Sequence, residues 1–287
     1  MPALWKIVFF KNSFYRIAFN LLFRFRGWRG SLSLRMLKNT LLEAVQAGAA
    51  ELSRFFNQSF YVSNKVGINN LVTEADHASE KAIIDVIKKN FPDHHILTEE
   101  SGDLVQDSQY KWIIDPIDGT VNFAHSIPLC CVSIAVEHEG EMVLASVYNP
   151  NMNELFFAEK GRGATLNEKP ISVSKKNNVL NACLVTGFPY TYLDTPNGPL
   201  QIFERFIRKD IPVRRLGSAA IDLCWVAAGR FDGFYEHKLE AWDSAAGFLI
   251  VEEAGGKVTD FKGNKFSPYQ PHVLATNGII HDDMVWR

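Results

Sequence analysis

Between Leu37 and Phe56, apolar residues recur at Leu41, Leu42, Val45, Ala49, Leu52 and Phe56, with polar residues between them. This three-and-four spacing lines one face of an α-helix and predicts a helix packed on a core. A second stripe, Ala82, Ile83, Val86 and Ile87, predicts a helix over Ala78–Phe91. Pro92 stops it, because proline has no N–H to continue the ladder. The pattern then shortens. His95-Ile-Leu-Thr and Lys111-Trp-Ile-Ile are short apolar runs that end directly in acidic residues, and they predict strands delivering carboxylates at their ends. Val132–Glu137, Met142–Tyr148 and Leu155–Ala158 are β-rich runs separated by Glu139-Gly-Glu and Asn149-Pro-Asn-Met-Asn, the pattern of antiparallel strands joined by turns.

The second half alternates instead. Strands are expected at Ala182–Thr186 and Gly233–Tyr235, and helices at Pro199–Lys209, Ala219–Ala228 and Asp243–Ala254. This gives a sheet-rich half and a mixed α/β half, with a soft boundary near residues 175–182 and no internal repeat or low-complexity linker. The expected organisation is a single domain over 36–287, in halves of roughly 36–180 and 181–287. The two halves are expected to share one cleft, since candidate ligands occur in both.

At 287 residues and 47% hydrophobic content, the chain can bury a sizeable core. Its formal net charge of -2 offers no general basic surface for nucleic acid, which makes small molecules the expected partners. Cys130, Cys131, Cys183 and Cys224 sit in apolar surroundings without C-x-x-C spacing, so they read as buried free thiols in a reducing cytoplasm.

The first 35 residues differ from the rest: they hold seven Lys/Arg, no Asp or Glu, and six of the 21 Phe. Their longest apolar run, Ile17–Phe23, contains Asn20 and falls far short of a bilayer span. No compact apolar region followed by a small-residue cleavage site marks a secretory signal. Three readings remain for residues 1–35: a basic aromatic helix on an anionic membrane surface, an organelle-targeting segment, or an extension of little consequence upstream of a start at Met36.

The chemistry concentrates in Trp112-Ile-Ile-Asp-Pro-Ile-Asp-Gly-Thr-Val-Asn-Phe123. Asp115 and Asp118 flank Pro116-Ile117, which stiffens the turn and lets both carboxylates converge. Converging carboxylates repel, and a hard divalent cation that prefers oxygen, Mg²⁺ above all, neutralises them. Gly119-Thr120 follow, and a helix starting there would aim backbone N–H groups and a positive dipole end at an anion. Taken alone, Asp-Gly-Thr also reads as a turn followed by a helix cap. Its context adds Glu99-Glu100 after a short strand, Asp76 in Val-Thr-Glu-Ala-Asp, and Asp243 at a helix start. Other catalytic schemes fit poorly: there is no Gly-x-Ser-x-Gly elbow, and Gly255-Gly-Lys257 lacks the flanking residues of a P-loop.

Together, Val72-Thr-Glu-Ala-Asp76, Thr98-Glu-Glu-Ser-Gly102, Trp112–Phe123, Leu216-Gly-Ser-Ala-Ala220 and Ala241-Trp-Asp243 resemble the inositol monophosphatase family of metal-dependent, lithium-sensitive phosphatases. They follow the family's order over about residues 37–280. The resemblance implies an αβαβα sandwich, a layered α/β fold, and a homodimer. It implies two to three Mg²⁺ ions: Glu99, Asp115 and the Ile117 carbonyl around the first, Asp115, Asp118 and Asp243 around the second, and a weaker third near Glu99. Gly119 and Thr120 amides would hold phosphate oxygens. Thr120, oriented by Asp76 and with Glu99 nearby, would position and help deprotonate a metal-activated water, although Asp76 can also be read purely as a helix cap. Lys65 matches the family's mobile early segment. Glu236 would accept substrate hydroxyls beside Gly217 and Ala219, with Asp118 and Asp243 also facing substrate.

The implied activity is hydrolysis of inositol 1-phosphate or a similar small polyol phosphate. Relatives acting on histidinol phosphate, fructose 1,6-bisphosphate or 3′,5′-bisphosphonucleotides are the nearest alternatives, and Val-Asn-Phe resembles the inositol branch more than the nucleotide one. A non-catalytic scaffold or regulatory protein is the alternative from another class.

Overall fold

The computed structural model describes residues 33–58, 62–64, 71–189 and 198–286. Residues 1–32 of the basic segment, and Lys65, lie outside them. The chain divides into two compact units, Met1–Thr40 and Leu41–Arg287. Of the first, residues 33–40 are described and are helical; the same helix, α1, runs over residues 33–55. In the second unit Leu41, Val45, Ala49 and Leu52 are buried, the stripe read from the sequence. No described helix is long and apolar enough to cross a membrane.

A two-stranded ribbon, β1 (Val62–Asn64) and β2 (Leu71–Thr73), leads into α2 (Glu74–Asn90). The helix starts four residues before the expected Ala78, because Thr73 caps it: its hydroxyl accepts from the Ala75 amide while Asp76 accepts from the Thr73 amide. The helices α1 and α2 meet at Gly48, where a Cβ would lie 2.7 Å from the Ile83 side chain. Only glycine allows that approach.

An eight-stranded sheet follows: β3 (His95–Thr98), β4 (Gly102–Leu104), β5 (Tyr110–Asp118), β6 (Cys131–His138), β7 (Glu141–Asn149), β8 (Glu154–Glu159), β9 (Gly163–Leu166) and β10 (Lys169–Pro170). Its order is β10-β9-β8-β7-β6-β5-β3-β4, antiparallel except for the β3/β5 pair. Between β5 and β6 lies a short helix, α3 (Thr120–Ala124). A five-stranded sheet, ordered β12-β11-β13-β15-β14, contains β11 (Leu184–Thr186), β12 (Val213–Arg214), β13 (Gly233–His237), β14 (Lys257–Thr259) and β15 (His272–Thr276).

The remaining helices are α4 (Pro199–Ile207), α5 (Ala219–Ala227), α6 (Ala241–Glu253) and α7 (His281–Met284). Both α5 and α6 lie between the sheets, sharing one core with Ile113, Ala145 and Phe156 of the large sheet and Val185, Phe234 and Val273 of the small one. Alternate residues of the small sheet, Leu184, Tyr235 and Leu274, face a second core with Ile202 and Phe206 of α4 and Met284 of α7. With α2 packed on β5, the layers of Leu41–Arg287 run α, β, α, β, α. A helix buried on both sides must be apolar all round, and eight of the nine α5 residues are buried. At Gly247 of α6 a Cβ would stand 2.6 Å from Leu223 of α5, so the two central helices approach as closely as a missing side chain permits.

Candidate active site

The site forms where β5 ends. The expectation of a strand stopping at Ile114 before a proline turn is corrected here: β5 continues through Pro116 to Asp118. Asp115 pairs with Ser133 and Asp118 with Cys131, so three steps on β5 match two on β6. That extra residue is a β-bulge, a place where a strand tolerates a proline. It has a chemical consequence. Residues three apart on a regular strand point to opposite faces, and the inserted residue brings Asp115 and Asp118 to the same side.

Asp243 joins them from the first turn of α6, where its Oδ2 accepts from the Glu240 amide at 2.8 Å. One oxygen each of Asp115, Asp118 and Asp243 lie within 4.8 Å of one another. Burial, then the charges of Glu99, Asp118 and Asp243, raises the Asp115 carboxyl well above the ordinary range. Burial likewise raises Asp243, with Asp118 and Glu99 adding to it. Asp118 is raised to about 6 by burial, against hydrogen bonds that favour its ionised form. Those come from Ser218 Oγ at 2.5 Å and the Ala220 amide at 2.8 Å, both to Oδ2. Such a cluster favours cation binding or proton retention, and an all-oxygen donor set suits a hard divalent ion. Glu99 follows β3, with its amide donating to Ile114 O and its carboxyl hydrogen-bonded to Asp115.

Gly119 takes the left-handed conformation, φ 90°, and a Cβ there would stand 2.8 Å from Leu129 O. It opens α3, which is only five residues long. The helix start expected at Gly119-Thr120 is present, and its anion-facing groups are the N–H groups of one turn. Thr120 Oγ1 lies 3.0 Å from Ile117 O and 3.3 Å from Asp76 Oδ1. Asp76 serves both readings, since its other oxygen accepts from the amide and hydroxyl of Thr73. Burial raises its carboxyl to about 6 against those two bonds.

Glu236 stands on β13, and burial lifts its carboxyl to about 8, with Asp118 adding and Arg215 opposing. A Cβ on Gly187 would meet Glu236 Oε1 at 2.1 Å, so any side chain there has to displace that carboxyl. Glu99, Asp115, Ile117, Asp118, Gly119, Thr120, Gly187, Glu236 and Asp243 border one cleft of about 460 Å³, together with Gly217 and Ala219, and Asp76 does not. Lys65 lies outside the described residues.

Sequence reading missed four participants. Ser218 carries a signal, a helix cap before an alanine-rich run, but its bond to Asp118 has none. Asn122 Nδ2 donates to Leu129 O and Leu216 O, each at 2.8 Å, tying the loop before β6 to the loop before α5. Asp222 and Arg215 border the cleft from segments with no motif of their own.

Residues 34–285 match the inositol monophosphatase family. An inositol-1-monophosphatase of Synechocystis sp. is 44% identical over 84% of this chain and 85% of its own length. A Nus factor SuhB of Haemophilus influenzae is also 44% identical, over 86% of this chain and 93% of its own. The solved inositol monophosphatase from Anabaena (Nostoc) sp. superposes with a TM-score of 0.78 at 39% identity, covering 88% of this chain and 95% of that one.

Proposed function

The chain belongs to the inositol monophosphatase family, and from that premise we propose that it is a Mg²⁺-dependent phosphomonoesterase acting on inositol 1-phosphate or a similar polyol phosphate. The observation carrying this reading is the trio Asp115, Asp118 and Asp243, whose oxygens lie within 4.8 Å although burial and mutual repulsion oppose their ionisation. A fold has no stability reason to gather such groups unless cations occupy them in function.

Asp115, Asp118 and Asp243 would hold one ion, and Glu99, Asp115 and the Ile117 carbonyl another. When bound, these ions supply Lewis-acid stabilisation of phosphoryl and leaving-group oxygens and acidify the attacking water. The chain's own groups do the rest. The Thr120 hydroxyl proton is directed to Ile117 O or Asp76, so its lone pairs are left to accept from water and orient it. Above pH about 6 Asp76 is ionised and can take up the proton that Thr120 relays. The Gly119 and Thr120 amides would bind phosphate oxygens at the start of α3. Glu236, seated against Gly187, accepts substrate hydroxyls, with Gly217 and Ala219 beside it in the cleft.

The test is a panel of inositol 1-phosphate, histidinol phosphate, fructose 1,6-bisphosphate and a 3′,5′-bisphosphonucleotide with Mg²⁺, run beside Asp115→Asn. Inositol 1-phosphate should be cleaved best and the variant should be folded but inactive. Near-normal turnover by the variant would sink the reading. Relatives named as Nus factors favour one second reading, a protein working by association; absence of hydrolysis of every substrate at saturating Mg²⁺ would make that the better account.

A further inference from the structure

We propose that Asp222 is a second hydroxyl-recognition carboxyl, acting beside Glu236 at the polyol end of the cleft, an inference that rests on the phosphatase reading above. Asp222 is the only carboxyl on α5, whose other residues are Ala219, Ala220, Ile221, Leu223, Cys224, Trp225, Val226 and Ala227. It is 1% exposed and borders the cleft. Its Oδ1 is buried with no hydrogen-bond partner among the described residues.

Structural duties do not account for it. The cap of α5 is Ser218, whose hydroxyl accepts from the Ile221 amide, and Asp222 contributes only its backbone N–H to the Ser218 carbonyl. Burial, then the charges of Glu236 and Asp118, oppose its ionised form, while Arg215 at the cleft favours it. Buried polar groups in folded proteins are paired, and one left unpaired beside a cleft is available to a donor that enters the cleft.

The surroundings restrict that ligand. Glu236 borders the same cleft and its charge acts on Asp222, so a further carboxylate or phosphate beside this pair is disfavoured. A neutral donor is admitted, and a hydroxyl can donate to Asp222 while its neighbour on the same ring donates to Glu236. Two carboxyls together therefore select adjacent hydroxyls, where one alone would accept many alcohols.

The experiment compares Asp222→Leu and Asp222→Asn with the wild type on inositol 1-phosphate and on p-nitrophenyl phosphate, which has no ring hydroxyls, and records Tm for each. The Leu variant should raise KM for inositol 1-phosphate about tenfold or more, the loss of hydrogen bonds to a carboxyl. Its kinetics on p-nitrophenyl phosphate should be unchanged and its Tm equal or higher, since a functional group held at a stability cost shows that opposition. The Asn variant keeps the side-chain shape and should show the same KM change, reduced, if the Leu variant fails to fold. An unchanged KM for inositol 1-phosphate, or equal losses on both substrates, overturns the proposal alone. A wild type that cleaves neither substrate overturns it together with the functional reading.

Discussion

The Ser218 hydroxyl donates a 2.5 Å hydrogen bond to Oδ2 of Asp118 across 100 positions of sequence, and the Ala220 amide donates to the same oxygen at 2.8 Å. One oxygen of Asp118 is thus occupied by protein donors and the carboxylate plane is held. Partners of this kind tune metal affinity from outside the ligand set. Ser218→Ala should therefore weaken Mg²⁺ binding about tenfold by titration calorimetry. It should also cost about 1 kcal/mol through loss of the α5 cap. Ser218→Thr should restore both, and unaltered Mg²⁺ affinity in the Ala variant would mean Asp118 is held by other contacts.

Burial holds Asp118 and Asp76 protonated up to about pH 6 and Glu236 up to about pH 8. In the unfolded chain these groups lose their protons near pH 4. Below that, both states are protonated and nothing differs. Between about pH 4 and 8 the folded chain holds protons the unfolded one has released, so stability falls as pH rises. Protein in EDTA should show a decreasing Tm from pH 5 to 8, and Mg²⁺ should raise Tm more at pH 8 than at pH 5.5. A larger Mg²⁺ effect at the lower pH would contradict this sign.

Thr120 and Asp76 share a hydrogen bond but differ in what else they hold. Thr120→Val removes the hydroxyl alone and should lower kcat by about 10²-fold or more without changing Mg²⁺ affinity. Asp76→Ala should lower kcat similarly and also reduce stability by about 1 kcal/mol, because the capping box of α2 is lost. Thermal unfolding beside steady-state kinetics separates the two. A Thr120→Val enzyme with full kcat would remove Thr120 from the chemistry.

Gly187 leaves the space Glu236 occupies. Gly187→Ala must displace that carboxyl, so KM for inositol 1-phosphate should rise about tenfold. Hydrolysis of p-nitrophenyl phosphate should persist. Parallel loss on both substrates would indicate a broader disturbance of the cleft.

The helices α4, α5 and α6 were legible because each is a stripe or apolar block set off by local signals. Asp115, Asp118 and Asp243 were legible as residues. The device that unites them was not: Asp-Pro-Ile-Asp reads as a turn, and the bulge exists only through the pairing of β5 with β6. Asn122 illustrates the same limit. Its amide bridges Leu129 O and Leu216 O, and the latter partner is 94 positions away, so nothing near it in sequence announces the bond. Asp222 was invisible for a different reason. An acidic residue in the first turn of a helix looks like ordinary compensation of the dipole, and only its burial and unpaired oxygen set it apart.

The close seating of Gly247 on Leu223 reaches beyond packing. The Ser218 cap and the Ala220 amide of α5 hold Asp118, and α6 carries Asp243, so the seating of these two helices bears on the spacing of two carboxylates. Mg²⁺ and Ca²⁺ differ in radius, and a site tells them apart by the size and rigidity of its oxygen cage. On the proposed metal reading, Gly247, with no atom in the cleft, is a spacer that bears on the size of that cage.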